Sequence, residues 1–163
     1  MKRTTWGMIS LTLVSLMAAC TTSSTTATGE RAGRRGGATI EARAITIYRS
    51  PTCSCCKEYE KYLAAAGYQV EIVEISDVTT KKVELGIPES VWSCHSSKLG
   101  DYIVEGHVPT TVLDRLLAEK PALKGIALPG MPAGAPGMGT ARQGPLHIMS
   151  FDDGGIVAHF AAV

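Results

Sequence analysis

The sequence predicts an α/β domain: a mixed sheet flanked by helices, closed by a Gly/Pro/Met loop and a C-terminal β-hairpin. Three observations predict it. Short β-branched runs alternate with segments of helical spacing, a Gly/Pro-rich stretch follows the last such helix, and a DDGG turn separates two final apolar runs. At 163 residues and 45% hydrophobic content the chain supports one domain with appendages. A formal net charge of +1 gives no electrostatic footprint for nucleic acid, and none is expected as a partner.

The first 20 residues read as an export signal and not as fold. Lys2 and Arg3 form a basic start, and the apolar run 6–19 is too short to span a membrane comfortably. LMAAC at 16–20 resembles a bacterial lipobox, with Met17 where Leu is usual, so Cys20 is expected to carry a lipid. Residues 21–38 are rich in Thr and Ser, then in Gly and Arg. They have almost nothing to bury and are expected to form a flexible tether. The domain is expected over 39–163.

Within it, AITIY at 44–48 is a strand, stopped by the breaker Arg49-Ser50-Pro51. Cys56, Tyr59, Leu63 and Ala66 recur at helical spacing, and Gly67 ends that helix. VEIVEI at 70–75 is a second strand. Ser76 and Asp77 cap a short helix running to about Leu85. VWSC at 91–94 is read as the third strand and 101–105 as the fourth, close enough to form a hairpin. Pro109 opens a helix through Leu113, Leu116 and Leu117. The glycines and prolines of 125–139 argue against a regular helix or a central strand there. Residues 146–151 and 156–163 flank DDGG as a hairpin. The order β-α-β-α-β-β-α is that of a thioredoxin or glutaredoxin fold.

Four cysteines belong to this domain. SPTCSCC places Cys53, Cys55 and Cys56 where a strand ends and a helix begins; Cys94 is distant in sequence. A helix N-terminus lowers thiol pKa, and thiolates both attack disulfides and bind soft metals. Structural disulfides suit an exported chain, but a Cys53–Cys56 bridge closes too short a loop to contribute much stability. A thiol–disulfide oxidoreductase using Cys53 and Cys56 needs no third thiol. Four thiols exceed what exchange requires and suit a soft ion or a multinuclear cluster. Zinc fits less well, because adjacent Cys55 and Cys56 are poorly placed around one tetrahedral ion. Met131 and Met138 offer thioethers that favour Cu(I), and His95 and His107 offer imidazoles. Each has an ordinary alternative: a Met covering a core edge, a His capping a helix. His147 and His159 are expected in ordinary surface or core roles.

SPTCSCC, GIP at 86–88, SCHS at 93–96, EGHVP at 105–109 and PGMPAGAPGM at 129–138 together resemble the CopG-type family. These are small exported metal-binding proteins associated with copper resistance. The resemblance runs from about Ile45 to the C-terminus. It implies a thioredoxin-like fold in the periplasm of a Gram-negative bacterium, with copper held by Cys53, Cys55, Cys56 and Cys94 in a multinuclear, cysteine-bridged cluster. It also implies a role in copper redox handling or in transfer toward copper-efflux or copper-carrier proteins. Pro88 would correspond to the cis-proline beside the thiols of glutaredoxin-like folds.

Overall fold

The first strand, β1 (Ala44–Arg49), alternates: Ile45 and Ile47 enter the core while Thr46 and Tyr48 stay partly open. The structure is a computed structural model that describes residues 43–155 and 157–163. The export signal, the lipobox Cys20 and the tether lie outside the described residues.

Seven strands form one mixed sheet in the order β2-β1-β3-β4-β5-β6-β7. Helix α1 (Ser54–Ala65) links β1 to the parallel β2 (Gln69–Glu74). Asp77 caps α2 (Val78–Glu84), its carboxylate accepting from Thr80 N. Strands β3 (Ser96–Leu99) and β4 (Tyr102–Glu105) form an antiparallel hairpin, and β3 also pairs antiparallel with β1. Pro109 precedes α3 (Thr110–Glu119), which crosses to β5 (Gly125–Ala127), parallel to β4. Strands β6 (His147–Phe151) and β7 (Val157–Ala162) complete the sheet as the expected hairpin.

Each face of the sheet carries a buried cluster. Side chains alternate along a strand, so neighbouring residues enter different cores. Val104, Ile126 and Ile148 join one cluster with Tyr59 and Leu63 of α1 and Val112, Leu113 and Leu116 of α3. Ile103, Ala127 and Phe151 join another with Ile87 and Val91, against which Trp92 and Met149 pack.

Two sequence expectations are corrected. The run 91–94 is not a strand: Glu89–Val91 is a 3-10 turn, Trp92 Nε1 donates to Ile87 O, and Cys94 precedes the third strand instead of ending it. The β-favouring Val91 and Trp92 satisfy their apolar surface by packing in the second cluster. Ser96–Leu99 becomes a strand because ladders on both sides claim its backbone. The exclusion of a central strand from 125–139 also fails, since Gly125–Ala127 lies between β4 and β6. Gly125 is required there: a Cβ would collide with the Ile103 carbonyl and the Phe151 ring. Helix α1 begins at Ser54, so Cys55 and Cys56 lie in its first turn, as the sequence led one to expect.

Candidate metal centre

The chain leaves β1, turns at Pro51-Thr52, and enters α1 with Cys53 as its N-cap, whose sulfur takes no part in capping. A disulfide joins Cys53 to Cys56, one helical turn on, with their Cα atoms 5.4 Å apart. Cys56 is buried; Cys55 is a partly exposed free thiol whose sulfur lies 3.5 Å from that of Cys53.

Cys94 reaches this turn from the segment leading into β3. Its sulfur is 3.7 Å from that of Cys56, 3.0 Å from His107 Nε2 and 3.4 Å from His95 Nδ1. Two devices hold it there. The first is Glu105, fully buried at the end of β4, which pairs with the buried Lys82 of α2. The same carboxylate accepts from Ser93 N at 2.6 Å and from Ser96 Oγ at 2.6 Å, so it grips the chain on both sides of Cys94 and His95. The second is Gly106, at φ +77°. A Cβ there would stand 2.6 Å from Ser93 Oγ and 2.7 Å from Leu128 O. Only a glycine lets the Ser93 segment lie this close to His107.

His107 is oriented from behind. Its Nδ1 lies 2.5 Å from Pro136 O and donates to it, which leaves the Nε2 lone pair facing Cys94. Burial holds its pKa below the usual histidine value, so the ring is neutral at pH 7. His95 is completely buried, and burial, with His107, Lys82 and Arg49, also lowers its pKa. Its Nε2 has no hydrogen-bond partner. The Tyr59 ring packs against both, with centroids 5.1 Å from His95 and 4.8 Å from His107, while its hydroxyl donates to Val108 O at 2.7 Å.

The Gly/Pro segment lies over α1's first turn. Gly137 sits so close that a Cβ would be 2.7 Å from Tyr59 N and 2.9 Å from Cys55 O. An isolated bridge joins Ser93 to Gly130, and Ser93 Oγ donates to Gly130 O. Burial and the neighbouring Cys55 push the Cys94 thiol up to about 12, against a downward pull from Ser93 and Lys82. The metal-free thiol is therefore protonated at neutral pH, and a bound cation would have to displace that proton.

Two overlapping donor sets result. The sulfurs of Cys53, Cys55, Cys56 and Cys94 all lie within 4.8 Å of one another, and so do the ligand atoms of Cys56, Cys94, His95 and His107. All four cysteines and both histidines named from the sequence thus converge. The methionines are placed differently: Met131 is exposed just beyond the Ser93–Gly130 bridge, and Met138, partly buried, packs against the first core cluster. Pro88 caps the 3-10 turn, and Cys94-His95 is what leads into β3. From the sequence, Glu105 and Gly106 appear only within the EGHVP motif, with no role assigned to either, and Lys82 leaves no signal at all.

The comparisons with known proteins bear on this centre. A family described as a protein of unknown function, DUF411, matches residues 91–138. That span holds Cys94, His95, Glu105, Gly106, His107 and the Gly/Pro segment, and omits the CxCC turn. No curated protein matches the chain. Two solved structures, described as form 1 and form 2 of copper resistance protein CopG, match with a TM-score of 0.68 and 36% identity. The matches cover 74% of this chain, 96% of the form 1 chain and 97% of the form 2 chain. The chain belongs to the CopG family. Nearly the whole length of its CopG relatives is therefore present, and the mixed sheet with three helices is the CopG fold.

Proposed function

We propose that this chain binds copper as Cu(I) through Cys53, Cys55, Cys56 and Cys94, as a multinuclear thiolate site, and acts in copper resistance. The observation that carries the reading is the convergence of four sulfurs, from the α1 turn and from the segment before β3, within 4.8 Å of one another. The solved relatives are described as copper resistance proteins. The donor set fits a soft monovalent ion: four sulfurs and two imidazoles, with His107 Nε2 and His95 Nδ1 facing the Cys94 sulfur. His95 and His107 are proposed as supporting ligands. Met131 and Met138 are proposed as thioether donors from the Gly/Pro segment, Met131 from its exposed position.

The disulfide sets a condition on this activity. Cys53 and Cys56 offer thiolates only after their S–S bond accepts two electrons and two protons from a dithiol reductant, which leaves as a disulfide. Copper then displaces the thiol protons as it binds. We place the protein in the periplasm, held by a lipid on Cys20, where it exchanges copper with efflux or carrier proteins.

The test is an anaerobic Cu(I) titration against a chromophoric chelator, before and after reduction. More than one Cu(I) per chain after reduction, and fewer before it, is the expected result. No Cu(I), or a single zinc ion, refutes the reading.

One observation favours a second reading. The Cys53–Cys56 disulfide at a helix N-terminus is the arrangement of a thiol–disulfide oxidoreductase, with Cys53 as nucleophile. Turnover of a disulfide substrate in excess copper chelator, lost in Cys53→Ser, would support that reading over the first.

A further inference from the structure

The β6–β7 hairpin carries the other two histidines of the sequence, His147 and His159. In a regular antiparallel ladder continuing from Ile148 opposite Ala161, Met149 would face Phe160, and His159 would fall opposite Ser150. His159 would then point to the other face of the sheet from His147. The observed pairing differs. An irregularity between Ile148 and Met149 skips Phe160 and sets Met149 opposite His159.

Residues directly opposite share a face, and so do residues two apart on one strand. His147, Met149 and His159 therefore lie on one face of the hairpin. Ile148 and Ala161 point the other way, into the first core cluster, while Met149 packs at the edge of the second. Both histidines are exposed, and their rings stand 6.0 Å apart, centroid to centroid, at 62°. Imidazole nitrogen binds zinc at about 2.0–2.1 Å, so two rings on opposite sides of one such ion would have centroids roughly 6.4 Å apart, the upper limit of the spacing. The observed spacing is within that reach.

We propose that His147 and His159 form a second metal site that takes a borderline divalent cation, Cu2+ before the others, with the Met149 thioether beside it. Imidazole suits copper, zinc and nickel alike. Among divalent first-row ions Cu2+ heads the affinity order for nitrogen donors. The site is distinct from the cysteine centre. The row Ser96, Glu105, Ala127, Met149, His159 runs straight across the sheet, so the pair stands at the same end as the thiols. Four strand spacings separate β3 from β7, roughly 19 Å. The proposal stands independently of the thiolate reading.

The test uses the full chain in a Cys20→Ser, Cys55→Ser, Cys94→Ser background, with Cys53–Cys56 oxidised, titrated with copper(II) sulfate under electron paramagnetic resonance. One Cu2+ per chain with nitrogen couplings is expected. His147→Ala or His159→Ala should each weaken it by about tenfold or more, and the double variant should abolish its signal. Both positions are exposed, and circular dichroism checks that the fold is kept; His147→Gln serves if His147→Ala is not folded. A copper spectrum and affinity unchanged in the double variant, or no Cu2+ bound at all, overturns the proposal.

Discussion

The sulfur of Cys94 stands 3.0 Å from Nε2 of His107, across a sequence separation of 13 residues, and Gly106 is what lets the two segments meet. Gly106→Ala introduces a methyl into the space of Ser93 Oγ and Leu128 O at a positive φ. A loss of about 1–3 kcal/mol in urea unfolding is expected, from overpacking together with backbone strain. The variant should also bind less Cu(I), because Ser93 can retreat only by carrying Cys94 with it.

Cys94 belongs to both donor sets, whereas the Cys53–Cys56 bond does not involve it. Cys94→Ser is therefore expected to lower the Cu(I) stoichiometry of the reduced chain. Reduction and reformation of the CxxC disulfide should be largely retained, as read by thiol trapping and mass spectrometry. Equal loss of both would contradict this division.

The Lys82–Glu105 pair can be tested by a double-mutant cycle. Removing either partner leaves a buried charge without its counterion, so Glu105→Gln and Lys82→Met are each expected to cost about 3–5 kcal/mol in denaturant unfolding. The double variant should cost less than the sum. Glu105→Gln should also reduce Cu(I) binding, since the carboxylate grips Ser93 and Ser96 on either side of the Cys94-His95 step.

His95 and His107 make the metal-free domain acid-sensitive. Both have folded-state pKa values below the ordinary 6.5, chiefly through burial. As pH falls through 6.5 the unfolded chain takes up protons that the folded chain refuses, so stability present above that pH is progressively lost below it. The urea midpoint is expected to fall between pH 7.5 and pH 5.5. His95→Leu should flatten that slope, and an unchanged slope would assign the acid sensitivity elsewhere.

Much of this protein is legible along the chain because its cues are local. The β-α-β start follows from alternation in 44–48, helical spacing from Cys56 to Leu63 and β-branched density in 70–75. The thiol turn is legible because CxCC is contiguous and one helical turn brings Cys53 to Cys56. The final hairpin is announced by DDGG.

What failed were positions where packing overrides propensity. Val91 and Trp92 look like strand and are a turn, while Ser96–Leu99 looks like loop and is a central strand, because neighbouring ladders claim its backbone. Gly125 reads as a breaker, yet it is the one residue small enough to lie between Ile103 and Phe151.

The sequence by itself determined the chemistry available: four domain thiols, three of them at a helix start, in an α/β fold of recognisable element order. Only the tertiary structure decided which groups share a space. It brought Cys94, His95 and His107 to the α1 turn, buried Lys82 against Glu105, and turned His159 to the face of His147. The physical reason is that composition and local spacing state what a residue can do, whereas proximity between distant residues depends on strand register, and one skipped residue reverses a side chain's face.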